Sequence, residues 1–343
     1  MLVPESEPVG TRCRAPRVAV AWASLVLGAL AVVVLAESVV TGQARATRVI
    51  TVDPDALDSV ESARRAGLSA AMAGAGAIEI SLALHSPAPP GVEVLVAVAR
   101  EHGLRVIASV ALTVAAAALD LPASRDHVVY RHPEWLMVPK VLAAVLGSVD
   151  PRSPDYVGRL SRWTRADPSR AQYLFVSPID DEAVRFVAAE IRTLFERHRF
   201  DGLHLRMAHY PADDFDFSRD ALASFRGAQR RALPAAQQRR MDEIERWDRL
   251  AYVESFPDQW HRFRAERLTA LVASVAEAVR GARPGTTVTL ALDDDADAAP
   301  ERGLQNWPAW LERGLLDGVV RREDPTRVAG ATARGPINDA GRR

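Results

Sequence analysis

Between residues 48 and 320 the chain alternates short β-branched runs with stretches of helical spacing. Such alternation restricts a chain to a parallel sheet with helices packed outside it. RVITV at 48–52 reads as a strand, and 54–66 as a helix with Asp53 as its N-cap. Residues 70–84 pass from small residues into alternation and predict one or two strands, and 92–102 has helical spacing closed by Gly103. The strand 104–112 leads into a long irregular region. The pattern then resumes with a helix over 181–199, a strand over 200–206, helices over 219–233 and 258–283, and a strand over 287–292, with 307–313 and 316–320 completing the series. An unbroken run of such units predicts a TIM-type (β/α) barrel rather than a doubly wound sheet. No dinucleotide-binding glycine fingerprint follows any strand, and Gly74-Ala75-Gly76 reads as a turn.

This reading yields about six strands, whereas a closed barrel has ~8. The tail RREDPTRVAGATARGPINDAGRR is charged and lacks a strand pattern. The expected fold is therefore an α/β barrel, incomplete at the C-terminus, over 48–320 with an irregular tail over 321–343. Its open edge would expose unpaired backbone groups unless something covers it. With 343 residues, 48% of them hydrophobic, the chain has ample core for one large domain or two small ones.

Ahead of this region, VAVAWASLVLGALAVVVLA at 18–36 is apolar and follows Arg12, Arg14 and Arg17. Its length approaches the ~20 residues that cross a bilayer as a helix, with the arginines held in the cytoplasm. The expectation is a cytoplasmic segment 1–17, a membrane anchor 18–36, a polar linker 37–47 and an extracytoplasmic domain. The alternative is a cleaved signal peptide, since Val34-Leu35-Ala36 offers small residues at a cleavage position; the run exceeds the usual ~7–15 residue core, which favours the anchor. Either way the domain is exported. Cys13 is the single cysteine, so no internal disulfide can form, and with a net charge of -1 nothing in the charge balance points to nucleic acid.

Chemistry-bearing residues concentrate in FDGLHLRMAHYPADDFDFS at 200–218, where His204 and Arg206 share a strand face and Tyr210, Asp213, Asp214 and Asp216 follow in a loop. Asp293, Asp294 and Asp295 end another strand. The acidic clusters read either as an acid pair or as solvated turns and helix caps, Asp216 and Ser218 among them. His204 reads either as a sugar contact or as a hydrogen-bonded core residue, and Trp135 either as a sugar-stacking ring or as packing. No His or Cys cluster has zinc spacing, no nucleophile elbow is present, and the acidic loop lacks the glycine and glutamate of an EF-hand, so neither metal nor cofactor is expected.

The stretch 200–218 resembles the signature of the glycosyl-hydrolase-like family 10 proteins, roughly DGxHxDYxRYP followed by D-F/Y-D-Y-S. His132-Pro133-Glu134-Trp135-Leu136 is similar to the family's HPEWL, and Asp150-Pro151-Arg152-Ser153-Pro154 to the stretch after it. Ser177-Pro178, Trp260, Arg267, Trp307, Trp310 and Leu315-Leu316-Asp317 also fall where relatives carry similar residues. The resemblance implies an exported TIM-barrel protein of glycoside hydrolase type, acting on a polysaccharide or cell-envelope glycan. Asp214 and Asp293 are then the catalytic candidates, and His204, Arg206, His132, Trp135 and Tyr210 the substrate-binding ones.

Three departures bear on activity. Arg206 stands where the family carries aspartate, Ile107-Ala108-Ser109 replaces a His-Ala-Trp strand end, and Val320-Arg321-Arg322 replaces Pro-Met-x-Tyr. Most glycosidases use two carboxyls, about 5–5.5 Å apart for retention or 6.5–9.5 Å for inversion. A guanidinium can neither donate a proton nor attack, and it repels the charge that develops on the sugar ring. Two expectations follow: a hydrolase relative with rearranged catalytic residues, or a catalytically silent relative that binds glycan or is truncated and decaying.

Overall fold

The computed structural model describes residues 48–292 and 299–321, all of them within one compact unit. Its strands are β1 (Val49–Val52), β2 (Ala77–Leu82), β3 (Arg105–Ala111), β4 (Val114–Ala117), β5 (Tyr173–Phe175), β6 (Gly202–Arg206), β7 (Thr287–Leu292) and β8 (Gly318–Arg321). Six of them form a parallel sheet in the order β1-β2-β3-β6-β7-β8, while β4 and β5 leave it as a separate antiparallel pair. The order never reverses, so the sheet has no switch point of the doubly wound kind and advances as a barrel wall does. The result is a half-barrel with helices outside it.

Alternation along the strands sorts their side chains. Ile78, Ile80 and Leu82 of β2, Val106, Ala108 and Val110 of β3, Leu203 and Leu205 of β6, and Val288, Leu290 and Leu292 of β7 are buried in one core with the helices. Burial of each large aliphatic side chain stabilises the fold by about 1.5–3 kcal/mol. The helix Val92–Glu101 contributes Val92, Leu95, Val96, Val98 and Ala99, and it ends at Gly103, whose φ of 70° is the left-handed conformation that glycine adopts freely. The helix Asp181–Arg197 buries Ala183, Val187, Ile191 and Phe195 at four-residue spacing, and the Asp180 carboxylate accepts the Glu182 and Ala183 amides at 2.8 and 2.9 Å. It packs against the long helix Pro257–Ala282.

The sheet is clamped at its N-terminal end by one device used twice. The Asp201 carboxylate accepts the Val106 amide at 2.8 Å, and the Asp317 carboxylate accepts the Val288 amide at 2.7 Å. Each aspartate also donates its own amide to the carbonyl of that same valine, at 2.7 Å in both cases. Gly202 follows the first clamp because a Cβ there would lie 2.9 Å from Thr287 Oγ1.

Several expectations need correction. The helix placed over 54–66 is a 3-10 turn, Pro54–Leu57, followed by a separate helix, Val60–Met72, because Ser59 and Ser62 form a capping box that starts it. Residues 70–72 are therefore helical, and only Ala77–Leu82 is strand. The region read as irregular contains the β4–β5 pair and the helix Pro154–Ala166. Among the described residues no helix is long and apolar enough to cross a membrane; the apolar run 18–36 and Asp293 lie outside those residues.

Candidate functional site

The strand positions that alternate with the aliphatic ones face away from the helices, and most of them are polar. The register places Ser109, His204 and Thr289 in one row across β3, β6 and β7, with Ala111 and Arg206 in the next row toward the C-terminal rim. One row toward the N-terminal end stand Glu79, Ile107, Gly202 and Thr287. This is the inner face of the half-barrel, and its C-terminal rim is where barrels of this class place their substrates.

His204 is buried, with Nδ1 2.9 Å from Thr289 Oγ1. Burial holds its pKa below the ordinary histidine value, helped by the charge of Arg206 and opposed by that of Glu79. The ring is therefore neutral near pH 7, with one nitrogen to donate and one to accept. Ser109 Oγ and Arg206 Nε are buried without a hydrogen-bond partner. Such groups cost about 1–3 kcal/mol each unless something binds them. The Arg206 main chain is fixed: its carbonyl accepts the Leu112 amide at 2.8 Å, and the next residue, Met207, has a left-handed φ of 49° and a carbonyl that accepts Thr113 Oγ1 at 2.7 Å.

The acidic loop behind this rim is tied down. The Asp214 carboxylate is ion-paired with Arg170, and its carbonyl accepts the Lys140 amide at 2.7 Å. Asp216 is wholly enclosed, at a left-handed φ of 76°, and its Oδ2 accepts the Ser177 hydroxyl at 2.7 Å. Burial pushes its carboxyl up to about 6, against the pull of the Ser177 hydrogen bond and the Arg264 guanidinium. Tyr210 is buried beside it, and burial together with the Asp216 charge raises its hydroxyl pKa. Arg264 lies 5.3 Å over the Tyr210 ring and the same distance over Trp260, and it donates to the carbonyls of Asp213 and Phe215 at 2.8 and 3.1 Å. This network holds the loop's shape and leaves Asp216 no access to a sugar. His209 turns its Nδ1 to within 2.9 Å of the Tyr210 carbonyl.

His132 and Trp135 belong to a different cluster. Their rings stack at 3.8 Å with 6° between planes, and His132 Nδ1 lies 3.2 Å from Glu134 Oε1. Trp135 is buried, so the imidazole occupies the ring face that a sugar would need. A small depression lies where the helices Asp181–Arg197 and Arg219–Ala232 begin, lined by Glu134, Ser177, Asp180, Ser218, Asp220 and Ser224. Asp180 and Ser218 are already engaged there as helix caps. Among the described residues no group of three or more His, Cys, Asp or Glu side chains could hold a metal ion.

The structure thus brings His204 and Arg206 together on the inner face and places Asp214, Tyr210, His132 and Trp135 elsewhere. Glu79 and Thr289 are inner-face residues that the sequence reading passed over. The signal for Glu79 lies in AIEISL, where Glu79 and Ser81 alternate with Ile78, Ile80 and Leu82.

The family model described as Glycosyl hydrolase-like 10 matches residues 88–334. No curated protein matches in sequence. Among solved structures, the chain is similar to the PgaB (BpsB) glycoside hydrolase domain from Bordetella bronchiseptica, at 17% identity and a TM-score of 0.48, covering 80% of this chain and 73% of that one. It is also similar to a beta-galactosidase from the psychrophilic Marinomonas ef1, at 11% identity and a TM-score of 0.45, over 71% of this chain and 37% of that one. A further match is the GH36 alpha-galactosidase AgaA from Geobacillus stearothermophilus, at 12% identity and a TM-score of 0.35, over 68% of this chain and 25% of that one. The family match runs from ahead of the helix Val92–Glu101 to beyond β8, and within it fall both aspartate clamps, the Ser177–Asp216 contact and His204. A match of that extent, carried by residues whose places in the fold are accounted for, makes this chain a member of the glycosyl hydrolase-like 10 family.

Proposed function

We propose that the protein binds a polysaccharide or cell-envelope glycan outside the cytoplasm, on the inner face of the half-barrel, and that hydrolysis by an ordinary carboxyl pair is impaired. The observation that carries this reading is the polar row Ser109, His204 and Thr289 beside Arg206, two of whose groups are buried without partners. Sugar hydroxyls both donate and accept, which suits a neutral imidazole and a serine hydroxyl. Family membership supports a glycan as the ligand, and the apolar run 18–36 behind three arginines supports export.

The placement of the carboxylates accounts for the impairment. Asp214 is engaged by Arg170, Asp216 is enclosed, and Glu79 stands one row below His204, away from the rim. Arg206 stands at the rim itself, and a guanidinium there opposes an oxocarbenium-like transition state. Calorimetry against a panel of envelope and plant glycans, run beside a reducing-sugar assay, tests the proposal. Binding without sugar release is the expected result. Turnover that disappears in Asp214→Asn or Asp293→Asn would replace it with the hydrolase reading, and a folded protein that binds no glycan would remove both.

A further inference from the structure

We infer that Arg206, with Ser109 and His204 beside it, forms a subsite for an anionic sugar, so that the glycan held on the inner face carries a carboxylate of the uronic acid type. The inference rests on the glycan-binding reading above and specifies its ligand. A guanidinium is always protonated and presents a planar fork of donors that matches a carboxylate in two parallel hydrogen bonds. Arg206 Nε is buried with no partner, and the nearby described carboxylates are engaged or distant. Asp214 pairs with Arg170, Asp216 accepts from Ser177 with Arg264 alongside, and Glu79 lies two rows deeper in the register.

Arg206 is half-buried, and its enclosed Nε lacks an acceptor that a ligand carboxylate at the rim could supply. The carbonyls of Arg206 and Met207 are pinned by Leu112 and Thr113, which fixes the main chain from which the side chain starts. Ser109, in the row directly below, is wholly enclosed and backs the subsite, and the neutral His204 ring beside it can serve a neighbouring hydroxyl.

Asp293, Asp294 and Asp295 follow β7 in the chain and lie outside the described residues, and an Arg206 paired with one of them is the competing state. Calorimetry on the full chain at low salt separates the two, using trimers of galacturonate, glucuronate and mannuronate, each beside its own methyl ester, which keeps the ring and removes the charge. At least one acid should bind about tenfold or more tightly than its ester. That preference should disappear in Arg206→Gln while the ester's affinity is retained. In the wild type alone, added salt should shrink the preference, which keeps the test decisive if the variant does not fold. Equal binding of acid and ester, as an Asp293-paired Arg206 would give, overturns the inference and leaves glycan binding standing. So does a preference that survives in Arg206→Gln, or binding confined to neutral or sulfated glycans. Absence of binding to any glycan, charged or neutral, fails the underlying reading instead.

Discussion

Asp216 combines full burial, left-handed backbone and a carboxyl pKa of about 6. The ordinary aspartate value, taken for the unfolded chain, is 3.8. A carboxyl whose pKa rises on folding stabilises the fold below its unfolded value, and that contribution is lost as pH climbs through the folded value. Between about pH 4 and pH 6 the wild type should therefore lose roughly 3 kcal/mol that Asp216→Asn does not lose. Urea melts of both proteins across that window measure the difference, and parallel curves would show that the carboxyl titrates normally. Ser177→Ala removes the 2.7 Å hydrogen bond to the same carboxylate and should cost about 1–3 kcal/mol at neutral pH. The sequence offered Asp216 as a possible turn residue, but its burial was not legible there, because the groups enclosing it, Ser177, Tyr210 and Arg264, come from three separated segments.

At the scale of elements, the regular units were legible where β-branched alternation or capped helical spacing was strong. TVTLAL gave β7 its bounds, and the helix Asp181–Arg197 follows its Asp180 cap. The β4–β5 pair was not legible, since VAAA has little strand preference and its partner lies far along the chain. The motif residues Asp201-Gly202 and Asp317 prove to be sheet clamps at the end away from the inner-face rim. Asp201→Ala and Asp317→Ala should each cost about 1–3 kcal/mol in thermal or urea melts while leaving glycan affinity unchanged. Gly202→Ala should cost a similar ~1–3 kcal/mol, because its Cβ would meet Thr287 Oγ1 at 2.9 Å, and Thr287→Ala should restore part of the loss. A Gly202→Ala protein as stable as wild type would show that this approach is not close.

For the whole molecule, the half-barrel separates two chemistries by one alternation: aliphatic side chains toward the helices, and Glu79, Ser109, His204, Arg206 and Thr289 toward the inner face. His204 and Arg206 were legible because they share a strand next to a recognisable motif. Glu79 and Thr289 were not, because only the sheet register sets them beside His204. The acidic residues that drew notice as candidate acids, Asp214 and Asp216, are held in loop contacts. On the proposed reading, glycan binds the inner face and not the acidic loop. Calorimetry of one bound glycan on His204→Ala and Asp214→Asn tests it most directly. His204→Ala should weaken binding by about tenfold or more, with its melting curve showing a folded protein, and Asp214→Asn should stay within about twofold of wild type. The reverse pattern, with affinity lost in Asp214→Asn and kept in His204→Ala, would place the glycan on the acidic loop instead.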